Sequence, residues 1–269
     1  MLISIEHTTR YHYTSEASYS IQSLRLTPCS FEGQRAIDWQ IVSHPTGRLT
    51  ETRDGFGNAL HLLTVEGPHR MVEITARGHV EVEDRAGLVR GLAETVPLRV
   101  YLRRTALTAP DAAIEALVTP IPPGGTVPWL HDLMARIRGK VEYRTDVTGA
   151  ETTASEALAS GQGVCQDHAH IFIAAARVAG IPARYVTGYL LMEAGPVEPA
   201  HHAWAEAWVD GLGWIGFDVA NLICPTDRYV RLAAALDATY AAPIRGSRRG
   251  GGDESLEVHV QVQQQSPQQ

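Results

Sequence analysis

The chain has little cysteine: only three among 269 residues, Cys29, Cys165 and Cys224. Three cysteines so widely separated cannot form a disulfide framework, and no pair has the short spacing of a zinc-binding motif. We therefore expect reduced thiols in a reducing compartment. That state would suit a catalytic thiol.

The sequence also lacks a basic excess, a long apolar run and a leader-like start. Its formal net charge of −7 gives no electrostatic footprint for nucleic acid. The longest uncharged apolar run is much shorter than a membrane span, and residues 1–7 lack the basic start and apolar centre of a signal peptide. We expect a cytoplasmic protein that binds neither nucleic acid nor membranes.

Residues 1–84 predict an N-terminal antiparallel β domain. Six short runs in this region are rich in β-branched and aromatic residues, and clusters such as Gly67-Pro68 separate them. Regularly spaced short strands of this kind are typical of antiparallel sandwiches and barrels. The predicted strands are 2–13, 20–27, 37–43, 49–53, 59–66 and 72–83.

The rest of the chain divides into a connection (85–110), a core domain (111–244) and a C-terminal segment (245–269). In the core domain, apolar spacing predicts a helix at 127–140, and Thr153 with Glu156 forms a capping box. The glycine- and arginine-rich stretch 245–255 suggests a flexible tract. Alternation then predicts a final strand at 256–262, followed by a polar tail.

Cys165 stands immediately before the most apolar helical segment of the core domain. The alanine-rich run 171–179 ends at Gly180, and Pro182 follows, which is typical of a helix C-terminus. This places Cys165 in the first turn of a buried helix. There the unpaired N–H groups and the helix dipole favour a thiolate and could hold an oxyanion.

A hairpin downstream supplies a candidate base and its orienting acid. Residues 202–209 alternate large and small side chains, and residues 210–213 predict a turn before the returning strand 214–218. A four-residue loop would turn His202 away from Asp218. We predict a five-residue loop, which pairs Trp208 with Trp214 and makes His202 and Asp218 diagonal neighbours on one face.

Four motifs resemble the core of the transglutaminase-like superfamily, and specifically a bacterial branch described as candidate cysteine proteases. They are Gly-Val-Cys-Gln-Asp (163–167), Gly-Ile-Pro-Ala-Arg-Tyr-Val (180–186), His-Ala-Trp (202–204) and Gly-Trp-Ile-Gly-Phe-Asp (213–218). The resemblance covers residues 110–225 by motif, and residues 1–84 are similar to the β-rich domain that precedes the core in this branch. The family commonly continues Asp-Pro-Thr-Asn, whereas this chain has Asp218-Val219-Ala220-Asn221 and retains both the acid and the asparagine.

The resemblance implies an α+β protein whose second domain has a papain-like, transglutaminase-core fold. A helix bearing the cysteine packs there on an antiparallel sheet bearing the histidine and the aspartate. By motif, Cys165 is the nucleophile, His202 the base and Asp218 the third member of a catalytic triad. Such a triad cleaves an amide through a thioester.

The expected partner is a peptide or protein amide substrate, and no cofactor is expected. Water as the acceptor gives a protease or amidase, and an amine gives a transglutaminase; analogy with the bacterial branch favours hydrolysis. A non-catalytic peptide-binding module is the alternative from another class. All three triad members are present, which counts against it.

Further residues near the motifs are weaker candidates. Gln162 and Asn221 could polarise a bound carbonyl, and Trp204 could line the cleft or lie in the core. The loop 193–200 could also line the cleft. A zinc site of Cys165, His168 and His202 is conceivable, but no further ligand has suitable spacing, so no metal is expected.

Overall fold

The structure, a computed structural model, describes residues 1–123, 125–192 and 201–265. The strands of these residues are β1 (Leu2–Leu24), β2 (Gln34–His44), β3 (Arg48–Arg53), β4 (Ala59–Val82), β5 (Leu88–Val89), β6 (Glu142–Tyr143), β7 (Gln162–Gly163), β8 (Ala183–Leu190), β9 (His201–Val209), β10 (Gly213–Phe217), β11 (Tyr229–Ala235), β12 (Ile244–Gly250) and β13 (Glu254–Gln264). The helices are α1 (Ala112–Glu115), α2 (Thr126–Arg138), α3 (Ala154–Ser160), α4 (Cys165–Val178) and α5 (Ala238–Ala241), with a 3-10 helix at Leu98–Leu102. None of the helices in these ranges is long and apolar enough to cross a membrane.

Two long antiparallel strands form the centre of the N-terminal sheet. β1 has 23 residues and β4 has 24, and they pair along most of their length. On the far side of β4 lie β2 and β3, and on the far side of β1 lie β12 and β13, so the sheet has six strands. The predicted N-terminal antiparallel β domain is confirmed.

The predicted breaks within β1 and β4 are bulges rather than turns. The pairing register shifts between His12 and Ala17. It shifts again between Ala17 and Tyr19, and this second shift lies opposite Gly67 and Pro68. Proline has no N–H to donate to a ladder, and a bulge leaves its position unpaired. Both strands therefore continue through a sequence signal that usually ends one.

The expected flexible tract at 245–255 is instead mostly β12 and its turn. β12 pairs with Ala17–Leu24 of β1, and β13 pairs with the first half of the same strand. The three glycines 250–252 have positive φ and make the turn between the two strands. The predicted final strand is confirmed within β13, whereas residues 266–269 of the predicted tail lie outside the described residues.

The core domain is built on a second antiparallel sheet, in the order β11-β8-β9-β10-β5. The predicted helix beginning at Cys165 is confirmed as α4, which is buried along most of its length and packs against this sheet. The capping box predicted at Thr153 and Glu156 opens α3. Together these elements confirm the α+β class and the papain-like arrangement of helix and sheet.

β11 lies where the sequence predicted loop and helix, within 221–240. All seven of its residues are buried, so it shows no alternation of exposed and buried positions. Its Val230 and Leu232 pack with Ile3 and Ile5 of β1, which places the strand between the two sheets. A strand buried on both faces has no period of two to recognise, and its three alanines favour a helix.

A buried ionic cluster joins three strands of the core sheet. The carboxylate of Glu206 on β9 is fully buried and pairs with Arg184 on β8 at 2.5 Å and with Arg231 on β11 at 2.8 Å. Arg184 also lies over the ring of Trp214 at 3.9 Å. Burial alone would raise the pKa of Glu206, but the two guanidinium groups lower it to about 2. The carboxylate is therefore charged at neutral pH.

Replacing this carboxylate should destabilise the protein strongly. In Glu206→Gln, two guanidinium groups stay buried without their counter-charge, and we expect a loss of about 3–5 kcal/mol of unfolding free energy. Chemical denaturation measures the change. The matched control is Glu81→Gln, which removes an exposed partner of Arg35 and should change stability little. Equal effects of the two variants would contradict a structural role for the cluster.

Candidate active site

The start of α4 holds Cys165 in a fixed place. Asp167 accepts hydrogen bonds through its Oδ2 from the backbone N–H of Val164 at 2.8 Å and from the hydroxyl of Thr148 at 2.6 Å. Asp167, in the first turn, thus caps the backbone at the start of the helix. Cys165 is the first residue of the helix and is partly buried. N–H groups at this position have no acceptor within the helix.

The glycine before Val164 is required by this cap. A Cβ added to Gly163 would lie 2.8 Å from both Cβ and Oδ2 of Asp167. A Cβ atom essentially never lies within 3.0 Å of a nonbonded atom, so Asp167 would have to move. The glycine of the Gly-Val-Cys-Gln-Asp motif therefore leaves room for the aspartate that fixes the helix start.

The register of β9 and β10 brings His202 to Asp218. Trp208 lies opposite Trp214, as predicted from an odd-numbered loop. Val209 also pairs with Gly213, one step further than expected. The loop therefore has three residues (210–212) instead of five, and it stays odd-numbered. The Nε2 atom of His202 donates to Oδ2 of Asp218 at 2.7 Å. The predicted contact between these side chains is confirmed.

Asp218 is fully buried and accepts from several donors. Its Oδ2 is 2.7 Å from Nδ2 of Asn221 and 2.7 Å from the hydroxyl of Tyr229, and its Oδ1 accepts from the N–H of Asn221 at 3.2 Å. Burial would raise the pKa of Asp218, but His202 and these donors outweigh it and hold the pKa below its usual value. The carboxylate keeps its charge in a site without water contact.

Cys165 lies close enough to the imidazole of His202 to interact with it electrostatically. Asp218 occupies Nε2 of the ring, which leaves Nδ1 as the nitrogen available to the thiol. Burial by itself lowers the pKa of His202. The hydrogen bonds and charges of Asp218 and Cys165 raise it to about 10, so the imidazolium is the stable form at neutral pH.

The three predicted substrate-contacting residues have different fates. Trp204 is only 3% exposed and packs beside the rings of His202 and Tyr229, so its indole belongs to the core and not to a cleft wall. Asn221 directs its amide to Asp218, and its contact with a substrate carbonyl stays a prediction. Gln162 lies on β7, partly buried, three residues before Cys165. Its contact with substrate stays a prediction.

Tyr229 is a site residue that the sequence did not indicate. It lies on β11, outside the four sequence motifs, and no neighbouring residue in the sequence indicated that its hydroxyl would reach Asp218. Burial and the neighbouring carboxylate of Asp218 raise the pKa of Tyr229. The phenol therefore stays a neutral hydrogen-bond donor.

The zinc alternative does not fit the position of His168. Its Nδ1 is 2.8 Å from the carbonyl oxygen of Val164, and its Nε2 is 3.0 Å from that of Val141. Both ring nitrogens thus face backbone acceptors and are not presented to a metal. No cluster of three or more His, Cys, Asp or Glu side chains suited to a metal occurs in 1–123, 125–192 and 201–265.

A groove of about 320 Å³ lies at the first turn of α4, where Gln166 follows Cys165. Gln166 and Tyr185 form its wall near Cys165, and His201 and Thr187 contribute hydrogen-bonded side chains, with His201 Nε2 2.9 Å from the Thr187 hydroxyl. The other lining residues are Ala150, Glu151, Ala238, Thr239, Ala241, Ala242, Pro243 and Arg245. The segment 193–200, expected at the cleft, lies outside the described residues.

A larger cavity of about 540 Å³ lies on the N-terminal sheet, lined by residues such as Asp38, Trp39 and His79. All of its lining residues belong to the N-terminal sheet, whereas the smaller groove includes Gln166, the residue that follows Cys165. The smaller groove is therefore the better candidate for chemistry at Cys165.

A thiol at a helix start, facing a histidine held by a buried carboxylate, defines the class of papain-like thiol proteins. Residues 129–219 match the family model of the transglutaminase-like superfamily, and residues 3–81 match that of the bacterial transglutaminase-like N-terminal region. The chain thus contains a core of the transglutaminase-like superfamily, preceded by the N-terminal region of its bacterial members.

Individual proteins support this placement over different lengths. An uncharacterised protein of Mycobacterium leprae is 29% identical over 272 residues, which cover 96% of this chain and 97% of that protein. A protein-glutamine gamma-glutamyltransferase of Pseudomonas aeruginosa is 31% identical over 107 residues, only 35% of this chain and 16% of that enzyme. The solved structure of a candidate cysteine protease from Cytophaga hutchinsonii shares the fold, with a TM-score of 0.77 at 23% identity, over 98% of this chain and 90% of that one.

The close approach at Gly163 makes a stability prediction. Gly163→Ala should cost about 1–3 kcal/mol of unfolding free energy, because the new methyl group displaces Asp167 from the helix start. Chemical denaturation tests this against Gly149→Ala. A Cβ at Gly149 meets no atom within 4 Å, so that variant should stay near the parent. If Gly163→Ala were as stable as the control, the packing argument would be wrong.

Proposed function

We propose that the protein is a thiol-dependent hydrolase of peptide or protein amide bonds. Cys165 is the nucleophile, His202 the acid and base, and Asp218 the group that orients the imidazole. The observation that carries this proposal is the 2.7 Å contact between His202 and the buried Asp218, together with the electrostatic interaction of Cys165 with the same ring.

The reaction uses the proton of His202 twice. The Cys165 thiolate attacks the carbonyl carbon of the amide, and the imidazolium gives its proton to the leaving amine as the C–N bond breaks, which leaves a thioester. The neutral imidazole then takes a proton from water, whose oxygen attacks the thioester. Collapse of that intermediate releases the acid, restores the thiolate and leaves His202 protonated.

Charge that develops on the carbonyl oxygen needs donors near the sulfur. The N–H of Cys165, at the positive end of the α4 dipole, supplies the first, and Gln162 is the candidate for a second. Asp218 stabilises the imidazolium and fixes the direction of the ring. The groove lined by Gln166, Tyr185 and His201 is the proposed place for the substrate chain.

Amine transfer is the second candidate function. It uses the same thioester, with an amine in place of water as acceptor. The match to the Pseudomonas aeruginosa protein-glutamine gamma-glutamyltransferase over 107 residues supports it. Hydrolysis is favoured by analogy with the candidate cysteine protease that shares the fold.

Alkylation of the native protein tests the proposed ion pair. Iodoacetamide should modify Cys165 below pH 7 at least about tenfold faster than Cys224, because a protonated His202 stabilises the thiolate, whereas burial raises the pKa of Cys224. His202→Ala should lose this advantage. Mass spectrometry of the labelled peptides gives the rate at each cysteine.

Deprotonation of His202 sets the alkaline limit of turnover. Its folded pKa of about 10 lies above the ordinary 6.5, so the imidazolium needed to protonate the leaving amine is present below this value and lost as pH rises through it. In the alkylation experiment, equal labelling rates of Cys165 and Cys224 would mean that Cys165 and His202 form no ion pair. That result would favour the non-catalytic peptide-binding alternative.

Loss of the nucleophile should abolish turnover without loss of fold. We expect Cys165→Ala to leave no measurable amide cleavage while its circular dichroism and melting temperature stay close to those of the parent. The assay offers quenched peptides with and without an added primary amine and separates acid from amide products by mass. Cys29→Ala is the control and should retain activity. A folded Cys165→Ala protein with full activity would refute the proposal.

A further inference from the structure

The carboxylate of Asp218 receives one of its hydrogen bonds from a strand outside the catalytic hairpin. His202 and Asn221 lie within 16 residues of it along the chain, on the hairpin and the turn that follows. Tyr229 comes from β11, the edge strand of the core sheet, and its hydroxyl donates to Oδ2 at 2.7 Å. The direction of the carboxylate thus depends partly on where β11 lies.

The position of β11 is set in turn by the N-terminal sheet. Gln34, on β2, is buried and uses its whole amide on this contact. Its Nε2 donates to the carbonyl oxygen of Arg231 at 2.8 Å and to that of Cys29 at 2.8 Å, and its Oε1 accepts from the N–H of Arg231 at 2.7 Å. One side chain therefore takes the place of a neighbouring strand along the open edge of β11.

Only Val230 separates Arg231 from Tyr229 along this strand. The backbone that Gln34 holds is therefore close to the residue whose hydroxyl reaches Asp218. The side chain of Arg231 reaches the other way, to Glu206 on β9 at 2.8 Å. β11 is therefore held from the N-terminal sheet on one side and from the core sheet on the other. The ring of Tyr229 lies against Trp204 and His202, which aims its hydroxyl at the carboxylate.

We propose that the N-terminal sheet positions the catalytic acid: Gln34 fixes β11, and β11 presents the hydroxyl of Tyr229 to Asp218. Tyr229 and Gln34 are positioning residues, since neither touches the reacting atoms. The inference rests on the proposed function, because it assigns the N-terminal region a task at the same triad. Without the hydroxyl, the carboxylate loses a donor and can rotate away from Nε2 of His202.

The first test is the pH profile of Cys165 alkylation in Tyr229→Phe, which keeps the ring contacts and removes only the hydroxyl. The acid limb of this profile is the range in which the alkylation rate falls as the pH is lowered. It should move to higher pH by about half to one unit, because the carboxylate of Asp218 protonates more easily without one of its hydrogen bonds. With a peptide substrate, kcat should fall about three- to tenfold with little change in KM.

Tyr189→Phe is the matched control. Tyr189 is also fully buried between the two sheets, and its hydroxyl bonds His7 at 2.8 Å. Removing that hydroxyl costs a comparable interface hydrogen bond without touching Asp218. This variant should melt lower than the parent but keep the parental acid limb.

Gln34→Ala tests the remote half of the proposal. It should move the acid limb in the same direction as Tyr229→Phe, and the double variant should shift no further than Tyr229→Phe alone, since Gln34 acts through that hydroxyl. If Gln34→Ala does not fold, Gln34→Asn replaces it, because the shorter amide cannot reach both backbone groups of Arg231.

The outcomes separate the inference from the function beneath it. Slow alkylation of Cys165 in the parent would reject the proposed function itself. Rapid alkylation in the parent with an unmoved acid limb in Tyr229→Phe, or an equal shift in Tyr189→Phe, would reject the positioning role alone. Additive shifts in the double variant would show that Gln34 does not act through Tyr229.

Discussion

The site depends on one buried carboxylate. Asp218 has no contact with solvent, and a charge in such a place is tolerated only when donors surround it. His202, Asn221 and Tyr229 supply those donors. The same hydrogen bonds that keep Asp218 charged also keep His202 protonated and oriented, so the electrostatics of the site and its geometry have a common origin.

A second buried carboxylate organises the sheet behind the site. Glu206 joins β8, β9 and β11 through Arg184 and Arg231, and the backbone of Arg231 is held by Gln34 of the N-terminal sheet. The two sheets also share an apolar cluster that includes Ile5 and Val230. The N-terminal region and the core domain are thus packed as one unit, with β11 between them.

Much of the candidate site was predictable because its signals are local. The apolar run after Cys165 indicates a helix, and the first turn of a helix has free N–H groups wherever it occurs. Side chains alternate along a strand, so the parity of one short loop decides whether His202 and Asp218 share a face. The same logic found the capping box at Thr153. What could not be found this way was Tyr229, since nothing near it in the chain refers to Asp218.

Neighbouring residues in the chain specify the α+β class, the start of α4 and the pairing that brings His202 to Asp218, because helix periodicity and strand alternation are local patterns. The strand at 229–235, and the pairing of the glycine-rich stretch after Ile244 with the first sheet, depend instead on tertiary contacts. Both segments take their conformation from hydrogen bonds with distant strands: β11 pairs with β8, and β12 pairs with β1. Such pairing overrides local propensity.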